Sequence, residues 1–215
     1  CKLTSEGASM GLDYDSVVHD EAALRKKVTF LLEVYQQGVL VEQYLDGREF
    51  TVGVLGHSPA YALPVGELHF GGPLRIRLDE MELDQFEQLK QALGRPDLEM
   101  SHMESETRAP ADLPPDTAAR IQQIAVDAFN ALGCKDWARV DLRMDSAGQI
   151  YVLEVNCGPG IAPDYALPKL AYAAGWSFEQ LVNTILNHAI ERYPHLSGKD
   201  SANRYQHYLG SLTTG

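Results

Sequence analysis

The segment WARVDLRMDSAGQIYVLEVNCGPG, Trp137 to Gly160, constrains the fold more than any other stretch of the chain. Two β-rich runs flank DSAG, Asp145 to Gly148, whose composition is that of a turn, so the segment predicts an antiparallel hairpin. With those four residues as the loop, Met144 faces Gln149, Arg139 falls opposite Glu154 and Asp141 falls opposite Val152. Side chains alternate between faces along a strand. Arg139, Asp141, Glu154 and Asn156 are therefore expected on one side, with Val140, Leu142, Tyr151, Leu153 and Val155 filling the other.

Charged groups rarely sit among core residues unless something pairs with them. Two carboxylates and an amide oxygen in one patch make an all-oxygen site, suited to hard Mg²⁺ rather than to zinc or copper. Magnesium keeps waters and takes phosphate oxygens, so a nucleotide is expected to complete a half-built site of this kind. Arg139 beside it would neutralise a transferring phosphoryl group or an oxyanion. The alternative is an Arg139–Glu154 cross-strand ion pair with Asp141 and Asn156 solvated, and spacing alone does not decide between the two.

The chain has 215 residues, 45% of them hydrophobic, enough for one large or two small domains with a core. No apolar run approaches the roughly 20 residues that span a bilayer, and CKLTSEGASMG at the start lacks the basic-then-apolar order of a signal peptide. A cytoplasmic location without a membrane partner is expected. Cys1, Cys134 and Cys157 show no CxxC spacing, which predicts reduced thiols rather than a disulfide framework or zinc knuckle. A net charge of −12 argues against nucleic acid as a partner, and an anionic ligand would need local cations or a metal.

DEAALRKKVTFLLEVYQQ, from Asp20, predicts a helix with Leu24, Val28, Leu31, Leu32 and Tyr35 at helical spacing. GVLVEQYL, EFTVGVLG and AYALPVGELHF predict a small antiparallel meander. In the next segment GGPLRIRL can hold a strand, DEMELDQFEQLKQALG a helix with a solvated acidic face, and RPDLEMSHMESETRAPADLPP a polar loop. DTAARIQQIAVDAFNALG places Ile121, Ile124, Ala125, Ala128, Phe129 and Leu132 on one helical stripe ended by Gly133. DYALPKLAYAAG predicts a helix with proline in its first turns, and SFEQLVNTILNHAIERY opens with a Ser177 to Gln180 capping box. The tail from Ser197 is polar.

Before residue 4 no helix or strand is expected, and the abrupt start suggests a fragment whose upstream portion is missing or lies on another chain. In CKLTSEGASMG, Gly7 and Gly11 allow a tight loop whose N–H groups can approach phosphate, Ser9 adds a hydroxyl and Lys2 a point charge. Loops of small residues are more often plain turns. In VEQYLDGREF, Glu42 and Glu49 bracket a strand end and a turn. Carboxylates so placed can accept from an adenine amino group or ribose hydroxyls, although a solvated hairpin end is the commoner meaning.

Taken in this order, Lys2 with its small-residue loop, VEQYLDGREFTVGVLG and ARVDLRMDSAGQIYVLEVNCGPGIAP resemble the ATP-grasp superfamily, and within it the D-alanine–D-alanine ligase family. The resemblance runs from residue 1 to about 192 with one break. It implies an α+β ATP-grasp fold of antiparallel sheets packed with helices, holding ATP between two lobes. The division it implies is 1–70 as part of the small lobe, 71–115 as a variable segment, 116–196 as the C-terminal lobe with the metal site, and 197–215 as a tail. A further N-terminal domain precedes these parts in the family, so that domain or a second chain is an implied partner, and a homodimer is one option.

By the same resemblance Lys2 contacts ATP phosphate, Gly7, Ala8 and Ser9 form the phosphate loop, Glu42 meets the adenine or its hinge, Glu49 meets the ribose, and Leu45 is a further nucleotide-binding residue. Asp141, Glu154 and Asn156 hold two Mg²⁺ ions, with Mn²⁺ as a substitute and Glu154 bridging, while Arg139 and the Gly160 N–H hold an oxyanion. The implied reaction moves the ATP γ-phosphoryl group to a carboxylate and then joins the acyl phosphate to an amine, in peptidoglycan-precursor synthesis for the family default. Amino acids are the implied substrates. A ligase for other amino acids in specialised metabolism, or a nucleotide-binding module without turnover, are the alternatives.

Two departures from the family pattern stand out. The family's lysine-bearing loop after the meander is absent from the longer segment around 71–115, where Lys90 or Arg108 are the candidate substitutes. NCGPGIAPDYALP offers Cys157, Gly158, Asp164 and Tyr165 where the family commonly has Thr and Ser. Cys157 is read as a small packing residue at a tight turn rather than a nucleophile. His57, His69 and His102 lack metal-ligand spacing and are read as surface or satisfied groups, while Trp137 and Trp176 are read as packing anchors.

Overall fold

The computed structural model describes residues 1–5, 11–12, 14–70 and 105–193. By its contacts the chain divides into two compact units, Cys1–Leu45 with His69–Glu106, and Asp46–Leu68 with Thr107–Gly215. Chain order groups 1–70 together, whereas contacts group Asp46–Leu68 with the later residues. The expected strand and helix within 71–104, Lys90, His102 and the tail from Ser197 lie outside the described residues.

In the first unit, β1 (Lys2–Leu3) pairs antiparallel with β2 (Val39–Leu40), Lys2 opposite Leu40. A strand thus does precede residue 4. GVLVEQYL, expected as a full strand, contributes only Val39–Leu40, because the edge that meets it is itself two residues long. The helix α1 (Glu21–Tyr35) begins where Asp20 Oδ1 accepts the Ala23 N–H at 2.8 Å and ends at Gln36, whose φ of 51° turns the chain out of the helix. Leu31 is buried and Leu24, Val28 and Tyr35 partly so, but Leu32, expected on the stripe, is exposed.

The second unit holds most of a six-stranded sheet of β3 (Glu49–Gly56), β4 (Ala60–Ala62), β5 (Gly66–Phe70), β6 (Ser105–Arg108), β7 (Asp136–Met144) and β8 (Ile150–Asn156). Its order is β6-β5-β3-β7-β8, with β4 also paired to β3. β7 occupies one edge of β3 along its whole length, so β4 and β5 share the other, β4 against Val54–Gly56 and β5 against Glu49–Thr51. The expected three-strand meander is therefore corrected to a central β3 with two short partners in succession. β6 lies in what reads as a polar loop; SETR has no apolar alternation to reveal an edge strand.

Alternation along β3 and β7 sorts the two faces. Phe50, Val52 and Val54 pair with Leu142, Val140 and Ala138 and pack on α2 (Pro115–Ala131) through Ile121, Ala125 and Phe129. A fully buried Phe or Leu contributes about 1.5–3 kcal/mol, so this layer dominates the unit's stability. α2 stops as the sequence predicts: Gly133 has φ 66° and donates to the Asn130 carbonyl, and Cys134 donates to that of Phe129. On the opposite face Leu55 joins Leu63 and the helices α3 (Ala166–Ala173) and α4 (Phe178–Arg192) through Leu167, Leu170, Leu181 and Ile185, with Trp137 and Trp176 alongside. The Ser177–Gln180 capping box is present.

The hairpin register is corrected in two steps. Asp145 through Gln149 form the loop, with Asp145 Oδ1 accepting the Ala147 and Gln149 N–H groups, so Met144 faces Ile150. An irregularity between Asp141 and Leu142 leaves Leu142 opposite Val152 and Asp141 opposite Glu154, and brings Arg139 opposite Asn156 rather than Glu154. The two shifts of one residue add to two, which restores the predicted facing beyond the bulge. Near the turn they do not cancel: Ile150 is buried, while Tyr151 and Leu153, expected in the core, are exposed on the edge strand.

Candidate functional site

On the β3/β7 face not covered by α2, cross-strand partners place Glu49 beside Arg143, Thr51 beside Asp141 and Gly53 beside Arg139. Asp141 is buried, and its position is fixed from two sides. Its Oδ1 accepts the Thr51 hydroxyl at 2.7 Å and Arg139 Nε at 2.9 Å, and its Oδ2 accepts Arg139 Nη2 at 2.7 Å. Arg139 Nη2 also reaches Glu154 Oε1 at 3.5 Å, and the Glu154 carboxylate is largely exposed. Asn156 Oδ1 accepts the Gly158 N–H at 3.1 Å, which fixes the turn after β8 and leaves the amide oxygen a second lone pair.

The patch is electrostatically coupled. Burial works against the charge of Arg139, but the hydrogen bonds and charge of Asp141, with the charge of Glu154, outweigh it and raise its pKa. Glu49 is raised chiefly by burial; Arg143, at 3.4 Å, pulls the other way, and Asp141 and Glu154 push it further up. Three carboxylates thus face two guanidiniums on one surface. The donors Asp141, Glu154 and Asn156 are all oxygen, which suits a hard divalent cation. Arg139 and Thr51 take most of the four lone-pair sites of Asp141, so a cation there would share that carboxylate with them.

The four hairpin residues singled out by the sequence therefore share a face, and the solvated alternative for Asp141 is ruled out by its burial. Sequence reasoning missed Thr51 and Arg143, which only the β3/β7 pairing brings to the patch. Gly160 lies in the loop after β8, where an added Cβ would come 2.4 Å from the Tyr165 ring. The Trp137 indole N–H donates to the Pro159 carbonyl at 3.3 Å, tying that loop to β7. Cys157, expected as a packing residue, is exposed, with its Sγ 3.3 Å from that of Cys134. The Cys134 thiol is pushed up to about 11, first by burial and then by its hydrogen bond with Cys157.

In the first unit Lys2 Nζ meets Glu42 Oε2 at 2.5 Å, both side chains being about half exposed. Leu45 is partly buried in the loop that follows. Gly7, Ala8 and Ser9 lie outside the described residues. Gly11 has φ 74° and sits against Leu3 and Leu31, so a glycine is required there by the turn and by the close approach of the core. Arg108 is exposed on β6. Among the described residues no helix is long and apolar enough to cross a membrane.

Comparison with known proteins places this geometry in a family. The family described as D-ala D-ala ligase C-terminus matches residues 1–187. Uncharacterized protein y4sG of Sinorhizobium fredii is 36% identical over 192 residues, 89% of this chain and 52% of its own length. The D-alanine–D-alanine ligase of Marinobacter nauticus is 35% identical over 187 residues, 86% of this chain and 49% of its own length. The chain thus spans about half the length of the curated relatives it matches. A crystal structure of D-alanine–D-alanine ligase from Bacillus anthracis complexed with ATP superposes with a TM-score of 0.60 and 22% identity, over 83% of this chain and 50% of that one, and shows a shared ATP-grasp fold. With the match running through the strand pair that carries Arg139, Asp141, Glu154 and Asn156, the chain belongs to the D-alanine–D-alanine ligase family, in its C-terminal part.

Proposed function

We propose that the chain supplies the nucleotide- and metal-binding part of an ATP- and Mg²⁺-dependent carboxylate–amine ligase of the D-alanine–D-alanine type. The observation that carries this reading is the family match over residues 1–187 together with an all-oxygen donor set on the paired strands β7 and β8. The net reaction moves the ATP γ-phosphoryl group onto a carboxylate oxygen, releasing ADP. An amine then attacks the acyl carbon; the C–N bond forms as the C–O bond to phosphate breaks, and the amine loses a proton. Asp141, Glu154 and Asn156 would hold Mg²⁺, two ions in the reading from the family with Mn²⁺ able to replace them, and the metal would neutralise and align the phosphates.

The remaining roles belong to the chain's own groups. Arg139 is kept charged and oriented by Asp141, which suits it to the oxyanion that forms when the amine attacks; the Gly160 N–H would join it. Lys2 is held by an exposed ion pair with Glu42, worth about 0–1 kcal/mol, so exchanging Glu42 for a phosphate oxygen costs little. Gly7, Ala8 and Ser9 would line the phosphates, Glu42 would meet the adenine, Leu45 would contact the nucleotide, and the partly buried Glu49 carboxylate would meet the ribose hydroxyls. The relative solved with ATP supports the nucleotide assignment. Small-molecule amino acids are the substrates in this reading, with a further N-terminal domain or second chain as partner and the cytoplasm as location, and 116–196 is the lobe that carries the metal site.

Ligation of amino acids other than D-alanine is the second reading, favoured by the exposed Cys157, Gly158, Asp164 and Tyr165 after β8, where the family commonly has Thr and Ser. Phosphate release with Mg²⁺, ATP and a panel of D- and L-amino acids tests both. Release that requires an amino acid supports a ligase and names its substrate; stabilisation by Mg·ATP without turnover supports a binding module instead.

A further inference from the structure

We propose that His57, His188 and Glu191 form a binding site for one zinc ion, separate from the oxygen-donor patch. His57 follows the last residue of β3, and His188 and Glu191 lie three apart on one face of α4, so folding brings together donors that are remote in sequence. One ring nitrogen from each histidine and one Glu191 carboxylate oxygen all lie within 4.8 Å of one another. His188 Nδ1 is 3.4 Å from Glu191 Oε2. A tetrahedral zinc with bonds of about 2.0–2.1 Å spaces its ligands roughly 3.4 Å apart, so that pair already has the required separation and His57 needs a shift of about 1.4 Å or less.

A second observation points to a ligand. His57 Nδ1 is buried without a hydrogen-bond partner, alone in this among the side-chain nitrogens and oxygens of the described residues, and so His57 is not the satisfied histidine that its sequence context suggests. A buried nitrogen lone pair or N–H without a partner is costly to keep, and coordination to a metal removes the cost. The His188–Glu191 contact alone would explain those two residues but not His57. The Tyr61 hydroxyl lies 3.3 Å from His188 Nε2. With Nδ1 towards the ion, the Nε2–H donates to Tyr61, the orienting second partner that metal-bound imidazoles generally have.

The donor chemistry separates the two sites. Two imidazoles and a carboxylate suit borderline Zn²⁺, whereas Asp141, Glu154 and Asn156 suit Mg²⁺. They also stand apart along the same strand: Thr51, which holds Asp141, precedes His57 by a span of about 20 Å of extended chain. Three protein ligands and an exposed Glu191 leave a fourth position for water. A bound ion would tie the β3–β4 turn to the last turns of α4, next to the Arg192–Asp136 ion pair that joins α4 to the start of β7.

The test is calorimetric titration of the 215-residue chain with Zn²⁺ alone, in buffer containing excess Mg²⁺, with Co²⁺ absorption as a readout of coordination geometry. One Zn²⁺ per chain is expected, with the intense visible absorption of tetrahedral Co²⁺. His188→Ala and Glu191→Gln should each weaken binding about tenfold or more and abolish that absorption, while Asp141→Asn leaves both unchanged. Glu191 is exposed, so its variant separates loss of a ligand from loss of folding. Zinc that binds undiminished in both the His188 and Glu191 variants, that Mg²⁺ displaces, or that fails to bind the native chain overturns the proposal.

Discussion

Thr51→Val removes the hydroxyl that donates to Asp141 Oδ1 at 2.7 Å while keeping a β-branched side chain of similar shape in β3. Thr51 is fully buried and Asp141 nearly so, at 0% and 8% exposed, and water therefore does not replace the lost bond. A hydrogen bond to a charged group is worth about 1.5–3 kcal/mol. Two effects pull the expected loss below that upper figure. Arg139 Nε keeps its own bond to Oδ1 at 2.9 Å, so the oxygen is not orphaned, and burying a methyl in place of a hydroxyl returns up to about 0.8 kcal/mol. The expected net destabilisation is about 1–2 kcal/mol, or a fall in Tm of roughly 2–8 °C for a chain of this size. Urea unfolding should show a lower midpoint with an unchanged slope. In a double-mutant cycle with Asp141→Asn the two changes should couple by about 1 kcal/mol. A midpoint equal to or above that of the parent would show that Asp141 is not held by Thr51 in a water-poor patch.

Gly47→Ala should destabilise the chain by about 1–3 kcal/mol or more, read by the same unfolding assay, because its Cβ would lie 1.6 Å from the Met144 backbone carbonyl and neither strand end can yield cheaply. Glu49→Gln should change the pH dependence of stability. Burial raises the Glu49 pKa above its ordinary value, so the wild-type contribution is fully present below that value and is lost as pH rises through the folded pKa. Relative to wild type, the glutamine variant should therefore gain stability as pH rises from the ordinary glutamate pKa through the raised folded one; an unfolding difference that is flat with pH would refute it.

What the sequence revealed depended on the range of the interactions involved. α2 and the capping box of α4 are local: spacing, Gly133 and the Ser177/Gln180 pair suffice to define them. The hairpin's polar face was legible because strand alternation is local too, but its register was not: Asp145 holds a five-residue loop through the Ala147 and Gln149 N–H groups where composition suggests four, and the irregularity at Asp141/Leu142 has no signal in the residue types. Thr51 and Arg143 were hidden because neither residue has a motif of its own and only the β3/β7 register carries them to Asp141 and Glu49. β6 gave no sign because SETR is polar throughout. The His57, His188 and Glu191 grouping was invisible for a similar reason: a turn after β3 and the far end of α4 meet only in the folded chain.

The most direct measurement is the Mg²⁺ dependence of ATP affinity in the wild-type chain and in Asp141→Asn and Glu154→Gln, by calorimetric titration with and without the metal. If the β7/β8 oxygens carry the metal, ATP binds the wild type more tightly with Mg²⁺ than without, and both variants fall to the metal-free level. ATP affinity that keeps its full Mg²⁺ dependence in both variants would contradict the assignment.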